Sequence, residues 1–422
     1  MKPLFIISCP IDTYSGYGAR SRDLVKAIIQ LDKYEVKILP QRWGQCPWNF
    51  IQDHSKEWGF LTPHLLPQGN QLPNRPDIWA QITVPNEFQP VGVHNIGITA
   101  GIETTICSAE WIEGLNRMDV NFVSSTHSKE VIQNSRFEKR NDKTNELISL
   151  VKIESPVEVL MEGADLETYF PKKSEFDLTQ VKEEFAYLFV GHWMAGVVGE
   201  DRKNVGLLVK TFFEKFKNKK KAPALILKTS GAGSSYMDRE VIIDKINQIA
   251  NTIENVRILP NVYVLHGELS NKEMNELYNH KKVKAMVSLT KGEGFGRPLL
   301  EFSLTKKPII ATNWSGHIDF LDSEFTTLIG GQLNNVHQSA ANKFLLPESK
   351  WFAPNYNEFS YYLEDMFNNY KTYKEKAVRQ AYKSKTEFGF EQMVDALNHY
   401  TISIDSKIPQ PIKLDLPEIA LL

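Results

Sequence analysis

Two glutamates stand eight residues apart in the stretch "KGEGFGRPLLE", Lys291–Glu301, with glycines at 292, 294 and 296 and a proline at 298. The apolar run before it, "VKAMVSL" (283–289), reads as a buried strand. Pro298 fits the first turn of a helix, where its missing N–H costs nothing. Glu293 therefore falls in a loop at the carboxyl edge of a sheet, and Glu301 about one turn inside the following helix. A carboxylate accepts hydrogen bonds in pairs, which suits the vicinal hydroxyls of a sugar or ribose. The backbone N–H groups of Gly294, Phe295 and Gly296, at a helix N-terminus, suit a diphosphate. Arg297 and Glu301 share a helical face, so an ion pair between them is the plain structural reading of Glu301.

Other stretches after apolar runs carry polar groups of comparable promise. "SGYG" (15–18) makes a small flexible loop at a helix N-terminus that suits an anion or serves only as a tight turn. In "GEDRKNVGLL" (199–208), Arg202 and Lys203 stand directly before a helix, where cations are unfavourable by roughly 0.3–1 kcal/mol unless an anion offsets them. Solvation of an exposed pair is the alternative. "LHGELSNKEM" (265–274) places His266 and Leu269 before a serine cap, either lining a base pocket or simply joining strand to helix. His94, Glu103 and His127 are candidates on the other side of a cleft. Trp43, Trp48, Trp58, His54 and His64 offer an aromatic surface for a sugar, or core packing under a long loop.

These residues need elements to hold them. The first 135 residues alternate short apolar runs ("LFIIS", "YEVKIL", "DIWAQITV", "VGVHNIGIT", "VNFVSS") with helical segments (18–31, 108–118, 126–135). The stretch 162–180 loses periodicity and contains Gly163 and Pro171, as a linker does. The alternation then restarts with "YLFVGH", "PALILKT", "NVYVLHG", "VKAMVSL" and "KPIIAT", each followed by a helix or loop. Val/Ile/Leu-rich strands without alternation predict parallel sheets covered on both faces. Two such series predict two doubly wound α/β domains, whose ligands sit beyond the carboxyl ends of the strands. Residues 356–404 read as helical, and the Pro-rich 407–422 as a tail over the surface.

Composition bounds the classes. At 422 residues, two domains are the natural expectation. A net charge of −2 argues against a general nucleic-acid binder. The three cysteines form no C-x-x-C pair, as in a reducing compartment. No apolar run reaches the ~18 residues of a membrane span, and "MKPLFIISCPID" lacks a signal-peptide cleavage site. The expected location is cytoplasmic, or peripheral at a membrane. The sequon at Asn313 is then irrelevant to glycosylation.

Taken in order, these segments resemble retaining glycosyltransferases of the GT-B fold, family 4 (group 1) in particular. "EGFGRPLLE" is similar to their Glu-x7-Glu motif, and "KPIIATNWSGHIDFL" to the strand and loop that follow it. "FVGH…RKNVGLLVKTF" resembles the opening of the donor domain, and "SGYGARSRDLVKAI" the N-terminal glycine loop. "GIETTICSAEWIEGLNRMDVNFVSSTHSKEVI" resembles the acceptor-domain region. The resemblance implies an N-terminal acceptor-side domain (1–165), a C-terminal nucleotide-sugar domain (166–355) and C-terminal helices with a tail (356–422). It implies that Glu293 contacts the transferred sugar, Glu301 the ribose, Arg202 and Lys203 the donor diphosphate, and that Gly16 lets its loop approach the donor. His266, Leu269, Gly294, Phe295 and Gly296 complete the donor set, with Glu103 and His94 on the acceptor side. A UDP- or GDP-linked sugar is the implied donor, with no cofactor and no metal; the chain contains no Asp-x-Asp. The acceptor stays open among a glycan, lipid-linked sugar, protein, small molecule and modified DNA base. An epimerase or phosphorylase of the same fold, or a non-catalytic nucleotide-sugar binder, are the alternatives. The chain departs from many relatives at His192, where they carry Arg after Val-Gly, and at Glu162, where they carry Asn.

Overall fold

The structure, a computed structural model, describes residues 2–44, 46–67, 75–141, 143–193, 196–231, 235–343 and 345–405. Strand β1 (Leu4–Cys9) is almost wholly buried, as its uninterrupted apolar run requires. Helix α1 (Gly16–Gln30) follows, capped by Ser15, whose Oγ accepts from the Gly18 N–H at 2.9 Å. Strand β2 (Glu35–Pro40), the short helices α2 (Phe50–Asp53) and α3 (Ser55–Trp58), β3 (Ile78–Ile82) and β4 (His94–Ile98) come next. After them lie α4 (Ala109–Leu115), β5 (Val120–Val123), α5 (Thr126–Asn134), the antiparallel hairpin β6 (Phe137–Arg140) and β7 (Leu147–Val151), and β8 (Val157–Val159). The sheet order is β2-β1-β3-β4-β5-β8, all parallel.

The second series runs β9 (Ala186–Val190), α6 (Val205–Phe216), β10 (Ala224–Lys228), α7 (Tyr236–Asn251), β11 (Val262–Leu265), α8 (Asn271–Asn279), β12 (Val283–Ser288), α9 (Arg297–Ser303), β13 (Ile309–Thr312) and β14 (Thr327–Ile329). Its order is β11-β10-β9-β12-β13-β14, again all parallel. The antiparallel pair β15 (Gly331–Asn335) and β16 (Lys350–Pro354) follows, then α10 (Tyr356–Asn368), α11 (Tyr370–Glu387) and α12 (Phe390–Asp405). The two hairpins go beyond the sequence expectation; β15 reads "GQLNN" and is exposed at every position, so it has no apolar signature. The expected tail 407–422 lies outside the described residues.

Each sheet reverses its winding once, between β1 and β3 and between β9 and β12. Loops from neighbouring strands diverge at such a reversal and leave a crevice at the carboxyl edge. The loops after β9 and β12 carry Arg202, Lys203 and Glu293.

The chain returns to its starting sheet at the end. Phe390, Met393, Val394 and Leu397 of α12 are buried in one cluster with Ile7, Leu24, Ile28 and Ile38. The return crosses beside the outward linker: the Ala164 N–H donates to the Phe388 carbonyl at 2.9 Å, and the Phe390 N–H to the Ala164 carbonyl at 2.8 Å. Truncating α12's apolar face should open the core of the first sheet. Leu397→Ala is expected to cost about 2–5 kcal/mol in chemical unfolding, the range for emptying a buried leucine site.

Candidate active site

A cleft of about 640 Å³ lies between the two sheets, lined by residues of both halves. Among its buried charged groups is Glu293, 8% exposed. The loop that carries it is pinned on both sides: the Glu293 N–H donates to Ser315 Oγ at 2.9 Å, and its carbonyl accepts from the Gly316 N–H at 2.9 Å. Its Oε1 accepts from Lys203 Nζ, and its Oε2 lies 3.5 Å from an Arg202 nitrogen. Burial alone would push this carboxyl up. Lys203 and then Arg202 outweigh it and hold the group at about 2, so it is ionised at neutral pH.

Arg202 ties three loops together. Its Nη1 donates to the Gly292 carbonyl at 2.9 Å and lies 3.6 Å from Glu103 Oε1 in the first half of the chain. Arg202 and Lys203 are thus turned into the cleft with side chains 16% and 14% exposed, not solvated at the surface. The bare N-terminus of α6 is served by Asp201 instead, whose Oδ2 accepts from the Val205 N–H at 3.2 Å.

The glycines of the loop also allow a close approach of two loops. A Cβ on Gly292 would come within 1.9 Å of the Glu103 carbonyl oxygen, and one on Gly294 within 2.2 Å of the Ala100 carbonyl oxygen. Both positions let the loop after β12 lie backbone to backbone against the loop after β4. Gly294, Phe295 and Gly296 all border the cleft, as do Gly16 and Glu103.

Four sequence candidates are placed elsewhere. His94 is the first residue of β4, at the amino end of the sheet, 3.8 Å from Asp119. A strand climbs about 3.3 Å per residue, so the whole length of β4 separates His94 from the cleft. Glu301 does not border the cleft either. Its Oε1 accepts from Arg297 Nε at 2.8 Å, and Tyr278 Oη lies 3.4 Å from its Oε2. Burial raises its carboxyl, with Arg297 opposing. The i, i+4 ion pair foreseen for Glu301 is present. His266 bonds Asp238 at 2.7 Å, and Leu269 packs against the core beneath the second sheet. Glu268, between them, is the residue of that loop that borders the cleft. His127, beyond these, packs edge-on against Trp314 at 4.6 Å, and burial lowers its imidazolium to about 4.

Arg297 reaches across the halves. Its guanidinium pairs with Asp23 of α1 and lies 3.7 Å from Glu162, while its Nε holds Glu301. Farther along the interface the Thr126 N–H donates to Asp319 at 2.8 Å, and the Thr105 N–H to the Lys350 carbonyl at 2.9 Å.

Sequence reasoning missed several residues that border the cleft. Lys228 and Ser230 come from the end of β10, and Asn342 and Leu345 from the loop between β15 and β16. A lysine closing an apolar strand that neighbours the reversal was a usable signal for Lys228. The aromatic group divides: Trp43 stacks on Tyr17 at 4.0 Å and faces the cleft, whereas Trp58 is core.

Residues 194–349 match the family model of Glycosyl transferases group 1, a span that includes Arg202, Lys203, Glu293 and Glu301. No curated protein sequence matches the chain. Among solved structures, a glycosyltransferase from Rickettsia africae aligns with TM-score 0.62 at 12% identity, over 96% of this chain and 98% of that one. HepE of Anabaena, in complex with UDP and glucose, aligns with TM-score 0.61 at 12% identity, over 95% and 100%. Sucrose-phosphate synthase of Thermosynechococcus elongatus aligns with TM-score 0.59 at 10% identity, over 96% and 100%. The architecture is therefore the GT-B fold: two Rossmann-like parallel-sheet domains and a helical C-terminal segment. A group 1 glycosyl transferase domain within that fold supports glycosyl transfer as the chemistry.

The Glu293 ion pair has a measurable signature. A carboxyl held below its ordinary value stabilises the fold fully above about pH 4.5, and that contribution fades as the pH falls toward 2. In urea unfolding the wild type should lose up to about 3 kcal/mol through this window from this group alone. Glu293→Gln should flatten that part of the profile and be less stable at pH 7, because Lys203 loses its anion.

Proposed function

We propose that this protein is a retaining hexosyltransferase of the family 4 type. It moves a sugar from a UDP- or GDP-linked donor to an acceptor hydroxyl without a metal. The observation that carries this reading is the ionised Glu293, held by Lys203 and Arg202 at the bottom of a cleft between two parallel sheets. HepE's complex with UDP and glucose supports a nucleotide-sugar occupant for the corresponding fold.

Cleavage of the anomeric C–O bond develops positive charge on the sugar and negative charge on the departing diphosphate. Glu293 is the anion that faces the former, and it orients the hydroxyls of the sugar. Arg202 and Lys203 are the cations for the latter, and need no reorganisation beyond exchanging Glu293 for phosphate. Same-face attack lets the acceptor hydroxyl pass its proton to the leaving phosphate, with retention at the anomeric carbon. Glu103, beside Arg202, is the carboxylate nearest the acceptor side. Glu301 acts through Arg297, as a positioning residue. The acceptor class is open, from glycan to modified DNA base. Among the described residues no helix is long and apolar enough to cross a membrane, which fits a cytoplasmic or membrane-peripheral site of action.

The test is a thermal-shift screen of nucleotide sugars, followed by product analysis. A true donor at a hundredfold its Kd should add about 2.7 kcal/mol to stability. Glu293→Gln should retain donor binding and lose at least about a hundredfold in kcat, the scale for removing one electrostatic contact to the transition state. Product with retained configuration, formed equally in EDTA, is expected. Inverted product, full activity of Glu293→Gln, or epimerisation of the donor without acceptor would overturn the reading.

A further inference from the structure

The cleft has a charge problem that one residue can solve. Arg202, Lys203 and Lys228 line the cleft together with Glu103, Glu268 and Glu293. Deeper in, Arg297 faces Glu162. Bases and acids cancel in both groups. A nucleotide diphosphate sugar brings a negative charge on each phosphate, so a neutral wall leaves it uncompensated. Arg202 and Lys203 are engaged with Glu293 and Glu103, and Lys228 Nζ donates to the Gly267 carbonyl at 2.7 Å.

Besides the phenol of Tyr17, which burial pushes up to about 12, His192 is the remaining titratable side chain among the described residues that border the cleft. It stands two residues beyond the end of β9, at the winding reversal, and is exposed to the cleft. Its Nδ1 lies 3.0 Å from Ser230 Oγ, a hydroxyl that can donate to a neutral ring or accept from a charged one. The charged groups around it are Lys203, Lys228 and Arg202, with Glu268 opposing. Enclosure by the cleft and then Lys203 lower its imidazolium below the usual range. A diphosphate in the same space reverses the sign of that field.

Building on the nucleotide-sugar reading of the cleft, we propose that His192 is a donor-diphosphate ligand that takes up a proton when the nucleotide sugar binds. Ser230 orients the ring in both states. The donor is then held most tightly below neutral pH, and affinity falls as the pH rises through the bound-state value of His192. Below the free-state value, where the ring is charged before and after binding, affinity is level.

The experiment is titration calorimetry with UDP-glucose, and with GDP-mannose, in buffers of differing ionisation enthalpy. A sugar diphosphate has no ionisation of its own near neutrality, so any uptake is the protein's. The wild type is expected to take up a fraction of a proton at pH 7. It should lose about threefold to tenfold in affinity from pH 6 to pH 8, the span of one titrating group. His192→Asn should bind weakly at every pH with no uptake. His192→Arg should bind tightly with no pH dependence, which also shows that the loop tolerates substitution. A pH-flat wild type, or undiminished uptake in His192→Asn, overturns this proposal alone. Failure of both nucleotide sugars to bind the wild type overturns it together with the transferase reading.

Discussion

The cleft depends on the buried contact between Lys203 and Glu293, because neither charge is stable in that place without the other. Removing an ion from water costs several kcal/mol, which only a close partner and further hydrogen bonds repay. The partners arrive from loops that the sheet itself drives apart, one after β9 and one after β12. Their pairing therefore fixes the spacing of the crevice. Arg202 extends the same constraint to the other half of the chain through Gly292 and Glu103. The cleft is thus shaped by electrostatic necessity before any ligand enters it.

The two acids of "EGFGRPLLE" illustrate how far apart eight residues can be in purpose. Glu293 sits in a loop whose backbone is held by Ser315 and Gly316, open to the cleft on one side. Glu301 is one helical turn along, behind Arg297 and Tyr278. Arg297 Nη1 donates to Asp23, with Glu162 3.7 Å away, and so couples α9 to α1. A cleft-lining acid and an interface-building acid share one motif, separated by the rotation of a helix.

Much of this was legible in the chain, and the parts that were not share a cause. Apolar runs without alternation announced parallel strands, and the loops after them contained Glu293, Arg202 and Lys203 as expected. Period and composition say which face of an element is buried, but not which end of a sheet a residue occupies. His94 was misplaced for that reason. Glu301 could be read as an ion-pair partner from spacing alone, yet its covering by Tyr278 depends on contacts 23 residues away. The β15–β16 hairpin carries polar residues on an exposed strand and offers no periodicity to read. At 10–12% identity the solved structures share the architecture with this chain.

The paired crossings at Ala164 and at Phe388–Phe390 have a mechanical meaning. A single tether would let the halves swing and twist freely, whereas two strands bonded side by side act as a fulcrum. Displacement about a fulcrum grows with the lever arm. Glu162 stands next to it, so the Arg297 cluster travels least and can persist while the halves part. The contacts of Thr126 with Asp319 and of Thr105 with Lys350 lie away from it in the chain's fold and would be the ones exchanged. A displacement about this point would part the Arg202–Glu103 pair as well, because it too spans the halves.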